Sequence, residues 1–185
     1  MTKSPVIIIA MLLCAAPSFA QLFFANDGKI KFDATAPASP DKIEGTTNSA
    51  TCLLDLATGD LAWQVLVKGF KFEKALMQEH FNENYLESDK YPKATFSGKI
   101  TNMAELNLKK DGTYKANVTG KMKIHGVEKE HTAQGTVTVG GGKITLNSEF
   151  DIKLADYDIK IPMVVSANIA KTAKVSVSAT LSPKK

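Results

Sequence analysis

Arginine is absent from this chain: all 23 of its basic residues are lysines. The planar fork that grips phosphates and guanine edges bidentately is therefore missing. The lysines raise the net charge to +4, but they are scattered along the sequence instead of forming a dense block. Both facts argue against a nucleic-acid partner and make the lysines solvated outer faces, with peripheral contact to anionic membrane lipids as a secondary role. Catalytic and metal signatures are missing too. There is no Gly-x-Ser-x-Gly elbow, no Cys-x-x-Cys and no His-Glu-x-x-His spacing, and three histidines make a poor ligand set for a metal. No cofactor is expected. Cysteine is limited to Cys14 and Cys52.

What is present begins with a leader. Lys3, the apolar run from Val6 to Ala16 and then Pro17-Ser18-Phe19-Ala20 read as a secretory signal peptide over residues 1–20, cleaved near Ala20. The run is too short to span a bilayer as a helix. A lipoprotein reading would acylate Cys14, but Leu13 before it is bulkier than such sites usually tolerate. The expected mature chain, 21–185, is one domain, periplasmic or secreted. It would keep Cys52 alone, so no intramolecular disulfide forms. Alternation of Cys52 with Leu54 and Leu56 makes that thiol a small buried hydrophobe.

Period-two alternation decides the fold class. Ala116, Val118, Gly120, Met122 and Ile124 alternate with polar residues, as do Ala133, Gly135, Val137 and Val139. After Gly140-Gly141-Gly142 the pattern resumes through Ile144, Leu146, Ser148, Phe150 and Ile152, and again from Ala173 to Leu181. Earlier strands are marked by Ile30 and Phe32, by Cys52 to Leu56, by Leu61 to Val67, and by Ala94 to Ile100. Phe70 and Phe72 fall on the opposite parity from Val67, which predicts a bulge and a bend at Gly69. One helix is expected from about Glu73 to Tyr85, with Leu76, Met77, Phe81 and Tyr85 inward. A second irregular stretch, 153–170, contains Pro162. The expected architecture is all-β: an extended up-and-down antiparallel barrel of about eight strands with one or two short helices. A two-layer sandwich is the alternative. Small inward residues such as Ala116, Gly120 and Gly135 bias an eight-stranded barrel toward a hollow one.

Three stretches carry a resemblance. Met77-Gln78-Glu79-His80-Phe81-Asn82 leads through Tyr85-Leu86 to Tyr91-Pro92-Lys93-Ala94-Thr95-Phe96. Val118 to Ile124 runs into His125-Gly126-Val127-Glu128-Lys129. Phe150-Asp151-Ile152 precedes Asp156-Tyr157-Asp158-Ile159. Together they resemble the YceI-like family across most of the expected mature chain. Leu86 departs from the family pattern where an aromatic is usual, as does Asp158 where glycine is common. The resemblance implies a lipocalin-like barrel, in the periplasm or outside the cell, with a polyisoprenoid or another long apolar chain in its tunnel.

The leading reading is a non-catalytic carrier whose partner is a long-chain isoprenoid or fatty acyl lipid. The expected lining is Trp63, Val65, Val67, Phe96, Val118, Met122 and Phe150 from the strands, with Met77 and Phe81 from the helix. His80 and Asn82 are the candidates for a polar headgroup at the open end. His125 is assigned to turn geometry before Gly126, and the Gly140 run to a hairpin, because no helix N-terminus follows it. Two rivals remain: a solidly packed barrel acting as an envelope interaction module, with homo-oligomerisation through an edge strand as one form of it, and a lipid-modifying enzyme using His80.

Overall fold

The computed structural model describes residues 22–184. The leader, its cleavage point and Cys14 lie outside the described residues. Eight strands follow one another: β1 (Leu22–Thr35), β2 (Glu44–Asp55), β3 (Asp60–Leu66), β4 (Lys93–Ile100), β5 (Gly112–Ile124), β6 (Val127–Gly140), β7 (Lys143–Lys153) and β8 (Ile169–Pro183). Each is antiparallel to the next, and β8 pairs with β1, so the sheet closes into an up-and-down barrel. Closure removes the sandwich alternative.

The turn chemistry is local. His125 and Gly126, joining β5 to β6, both have positive φ (50° and 78°), as a two-residue type I′ hairpin requires. Gly141 and Gly142 do the same between β6 and β7 (58° and 73°). Between β3 and β4 the expected bulge at Gly69 is instead a 3₁₀ turn over Val67–Gly69. The chain leaves the sheet there, and the parity of Phe70 and Phe72 changes because they no longer belong to β3. Helix α1 (Ala75–His80) then widens into a π-helical turn, Phe81–Tyr85, closed by the Leu86 N–H donating to the Phe81 carbonyl at 2.9 Å. The Asn82 carboxamide donates to the Gln78 carbonyl at 2.8 Å and so competes for an acceptor of the last α-helical turn. Leu76, expected to face inward, is 61% exposed.

One end of the barrel is filled. Leu54, Val137, Ile144 and Leu181 are fully buried there, together with Cys52. Each such aliphatic side chain contributes about 1.5–3 kcal/mol on leaving water. Toward the other end two neighbouring strand pairs separate. The β2–β3 ladder covers only Thr51–Leu54 against Leu61–Gln64; above it, β2 is met by the chain after β3, where Thr46 and Lys71 exchange backbone hydrogen bonds of 2.9 and 2.7 Å. The β6–β7 ladder stops at Gly135 and Ser148, although β6 stays paired with β5 down to Val127. At the point of separation the Ser148 hydroxyl donates to the Gln134 carbonyl at 2.6 Å. Beyond it lies a seam between β6 and β7.

Candidate functional site

Above the filled end is a cavity of about 400 Å³ that opens where α1, the 36–43 loop and the 154–168 segment gather. Its wall is overwhelmingly apolar because the inward positions of β3 to β8 are hydrophobic or small. Trp63, Phe96 and Met122 stand directly opposite one another across β3, β4 and β5, forming one continuous row. Phe96 can lie along the sheet because Gly98 and Gly120 beside it are bare. A Cβ at Gly98 would lie 2.7 Å from the Gly120 Cα and 2.6 Å from the Phe96 ring. Glycine here is a matter of space, with an aromatic ring covering the gap it leaves.

The mouth has its own aromatic wall. Phe81 from the π-helical turn stacks on Phe32 of β1, with centroids 5.2 Å apart, and meets Phe72 at 5.0 Å and Phe70 at 5.6 Å. Such pairs are worth about 0.5–1.5 kcal/mol each beyond the area they bury. This cluster holds the helical segment across the opening.

The expected lining residues divide as follows. Trp63, Val65, Val67, Phe96, Val118, Met122 and Phe150 all border the cavity from the strands and the 3₁₀ turn after β3. Met77 and Phe81 border it from the helical segment, and His80 reaches its rim but is solvent-exposed. Asn82 does not line the cavity. Its Nδ2 is spent on Gln78, and its Oδ1 is buried without a partner. Phe32, Phe70 and Phe72 complete the mouth without having been singled out; the parity change at Gly69 was the signal for the last two.

His131 was also missed. It lines the cavity from β6, its Nε2 is buried without a hydrogen-bond partner, and burial holds its pKa below the ordinary histidine value. Its parity is that of Ala133 and Gly135, so extending the inward set by one residue would have found it. Tyr85, half-buried beside the cavity, has its phenol pKa raised by the same desolvation.

At the open end three loops are tied by one side chain. His125 Nε2 lies 2.7 Å from Glu87 Oε2, and its Nδ1 lies 3.0 Å from the Tyr157 carbonyl. Tyr91 packs edge-on against the imidazole at 4.9 Å. Glu87, His125 and Asp158 are the described non-glycine residues with positive φ, and all three belong to this junction. Asp158, at φ 55°, occupies a conformation that glycine takes without strain. His125 is therefore more than a turn residue. Among the described residues, no three His, Cys, Asp or Glu side chains gather as a metal site.

A closed eight-stranded antiparallel barrel around one apolar cavity defines a lipocalin-like architecture. The chain belongs to the YceI-like family, whose domain model matches residues 22–181. It is similar to the protein YceI of Shigella flexneri and of Escherichia coli O157:H7, each 29% identical over 141 residues, covering 72% of this chain. The chain spans about 60% of the length of those curated relatives. Among solved structures, a polyisoprenoid binding domain from Saccharophagus degradans, implicated in plant cell wall breakdown, superposes with a TM-score of 0.75 at 14% identity. The match covers 90% of this chain and 100% of that one. BcnA of Burkholderia cenocepacia gives 0.67 at 21% identity, covering 84% and 96%. At these identities the likeness establishes the fold.

Proposed function

We propose that this protein is a non-catalytic carrier that holds a long apolar chain, isoprenoid or acyl, inside the barrel. The observation that carries this reading is the cavity itself. An open cavity of about 400 Å³ walled by aromatic and aliphatic side chains leaves apolar surface in contact with water, and an apolar ligand entering it removes that surface from water. A chain entering it leaves water at about 0.8 kcal/mol per methylene before the costs of association. The likeness to the polyisoprenoid binding domain of Saccharophagus degradans supports the same ligand class. The packed interaction module loses ground because the interior is hollow.

Export belongs to the same proposal, since the leader would deliver the barrel to the periplasm or beyond the cell. Exchange at a membrane surface belongs to it as well. Met163 and Val164, 91% and 89% exposed, form an apolar tip on the 154–168 segment at the mouth. The test is native mass spectrometry of purified protein, followed by organic extraction. A stoichiometric long-chain lipid is expected; a clean apo mass that persists after incubation with polyprenol and fatty-acid mixtures overturns the carrier.

A further inference from the structure

Among the described residues two buried side-chain polar atoms lack a partner, Asn82 Oδ1 and His131 Nε2, and of the two only His131 lines the cavity. His131 lies four residues beyond Val127, where β6 leaves the β5–β6 hairpin, about 13 Å along the strand from the mouth. That depth is midway between the opening and the filled end. Its strand partner is Gly120, which offers no side chain, and its other neighbour is Phe150, whose ring meets the imidazole edge-on at 4.7 Å across the seam between β6 and β7. No backbone ladder crosses the seam at this level, because pairing ends at Gly135 and Ser148.

An unpartnered buried imidazole nitrogen costs free energy of the order of a lost hydrogen bond. Replacing it by an apolar residue would remove that cost and add packing, so its presence needs a partner that the folded chain does not supply. Of the other polar groups lining the cavity, the half-buried Tyr85 phenol is the rival candidate, and three more are engaged or peripheral. The Ser148 hydroxyl donates to Gln134, Ser39 donates to the Asp41 carbonyl at 2.6 Å, and His80 is exposed at the rim.

We infer that His131 Nε2 is the polar anchor of the cavity and hydrogen-bonds a hydroxyl group carried by the apolar ligand, held at mid-depth beside the β6–β7 seam. This rests on the carrier reading and adds the ligand's functional group and where it sits. A hydroxyl is the group that fits. It both donates and accepts, so it satisfies Nε2 in either imidazole tautomer, whereas a carbonyl only accepts. An anionic head would need a cation at that depth. Burial disfavours the charged form of His131, and the lysine nearest in sequence on the same strand face, Lys129, is exposed and outside the cavity wall.

The test uses the one tryptophan. Trp63 lines the cavity, so its fluorescence reports occupancy directly. Delipidated protein is titrated with geranylgeraniol, with the saturated or unsaturated hydrocarbon of the same skeleton, and with the corresponding carboxylic acid. The wild type is expected to bind the alcohol about tenfold more tightly than the hydrocarbon. In His131→Leu that preference disappears while hydrocarbon affinity is kept or improved, and His131→Gln, which still donates and accepts, retains part of it. Tyr85→Phe leaves the preference intact.

An undiminished alcohol preference in folded His131→Leu overturns the inference but not the carrier. So does a preference that vanishes only in Tyr85→Phe, or tighter binding of the acid that depends on His131. Should His131→Leu fail to fold, folded His131→Ala is read in the same way: loss of the alcohol preference with hydrocarbon affinity kept supports the anchor, and an undiminished preference overturns it. If the wild type binds none of the three probes, the carrier reading itself falls.

Discussion

Affinity should depend on chain length with a break set by the cavity. Saturated alcohols of eight to twenty carbons form the perturbation. Each methylene moved from water to the wall contributes at most about 0.8 kcal/mol, which is about fourfold in Kd. The cavity of about 400 Å³ takes about 13 methylene units if each needs about the 30 Å³ that one water molecule occupies in the liquid. The inward face of β5 from Val118 to Ile124 runs about 20 Å along the strand, which gives the chain a comparable depth. Kd measured by Trp63 fluorescence should therefore fall steeply with each added carbon and flatten near thirteen, where further carbons project from the mouth into solvent. A flat response from eight carbons upward would mean that the chain binds outside the barrel. An unbroken slope to twenty carbons would mean that this cavity does not limit the ligand; either result refutes the reasoning.

Other consequences are open to direct measurement. Cys52 is fully buried and desolvation pushes its thiol pKa up, so Ellman's reagent at pH 8 should label it only as fast as the protein unfolds; labelling within seconds in native buffer would contradict that burial. His125→Ala removes two hydrogen bonds and leaves Glu87 and the Tyr157 carbonyl unpartnered. It should cost about 1–3 kcal/mol by urea denaturation and raise hydrogen exchange around residues 87–91 and 154–158. His131 carries a pH dependence of definite sign. Its folded pKa lies below the unfolded value, so the unfolded chain binds the extra proton first and stability falls as pH drops below about 6.5. In His131→Leu that part of the acid sensitivity, which sets in as pH falls through about 6.5, should vanish from a series of melting temperatures.

Much of the barrel was legible because alternation is a local record of one-sided burial. From Leu61 through Leu181 the inward parity read along the chain is the parity of the folded strands, and Gly126 and the Gly141-Gly142 pair marked their turns without reference to anything distant. The same record shows why Trp63, Phe96, Met122 and Phe150 share one wall: each is inward by parity, and consecutive antiparallel strands are neighbours. It failed where the chain leaves the lattice of two. Leu76 looked inward on a helical wheel, but only packing against Phe32, Phe70 and Phe72 decides which side of so short a helix is buried. Asn82 looked like a headgroup ligand, yet it does not border the cavity, and its Nδ2 donates to the Gln78 carbonyl of the helix that carries it.

The sequence by itself determined the strand faces, the hairpins, the hydrophobic character of the interior and the family, since each is encoded in residues adjacent or near-adjacent along the chain. The tertiary structure alone decided that the sheet closes, which end stays open, that β6 and β7 part beyond Gly135 and Ser148, and that His131 thereby faces Phe150 inside the cavity. It also decided that His125 ties Glu87 to Tyr157, residues 38 and 32 positions away from it. Those facts depend on how far apart neighbouring strands run and on which loops meet at one rim. Alternation cannot carry that information, because it reports that a side chain is buried and not what it is buried against.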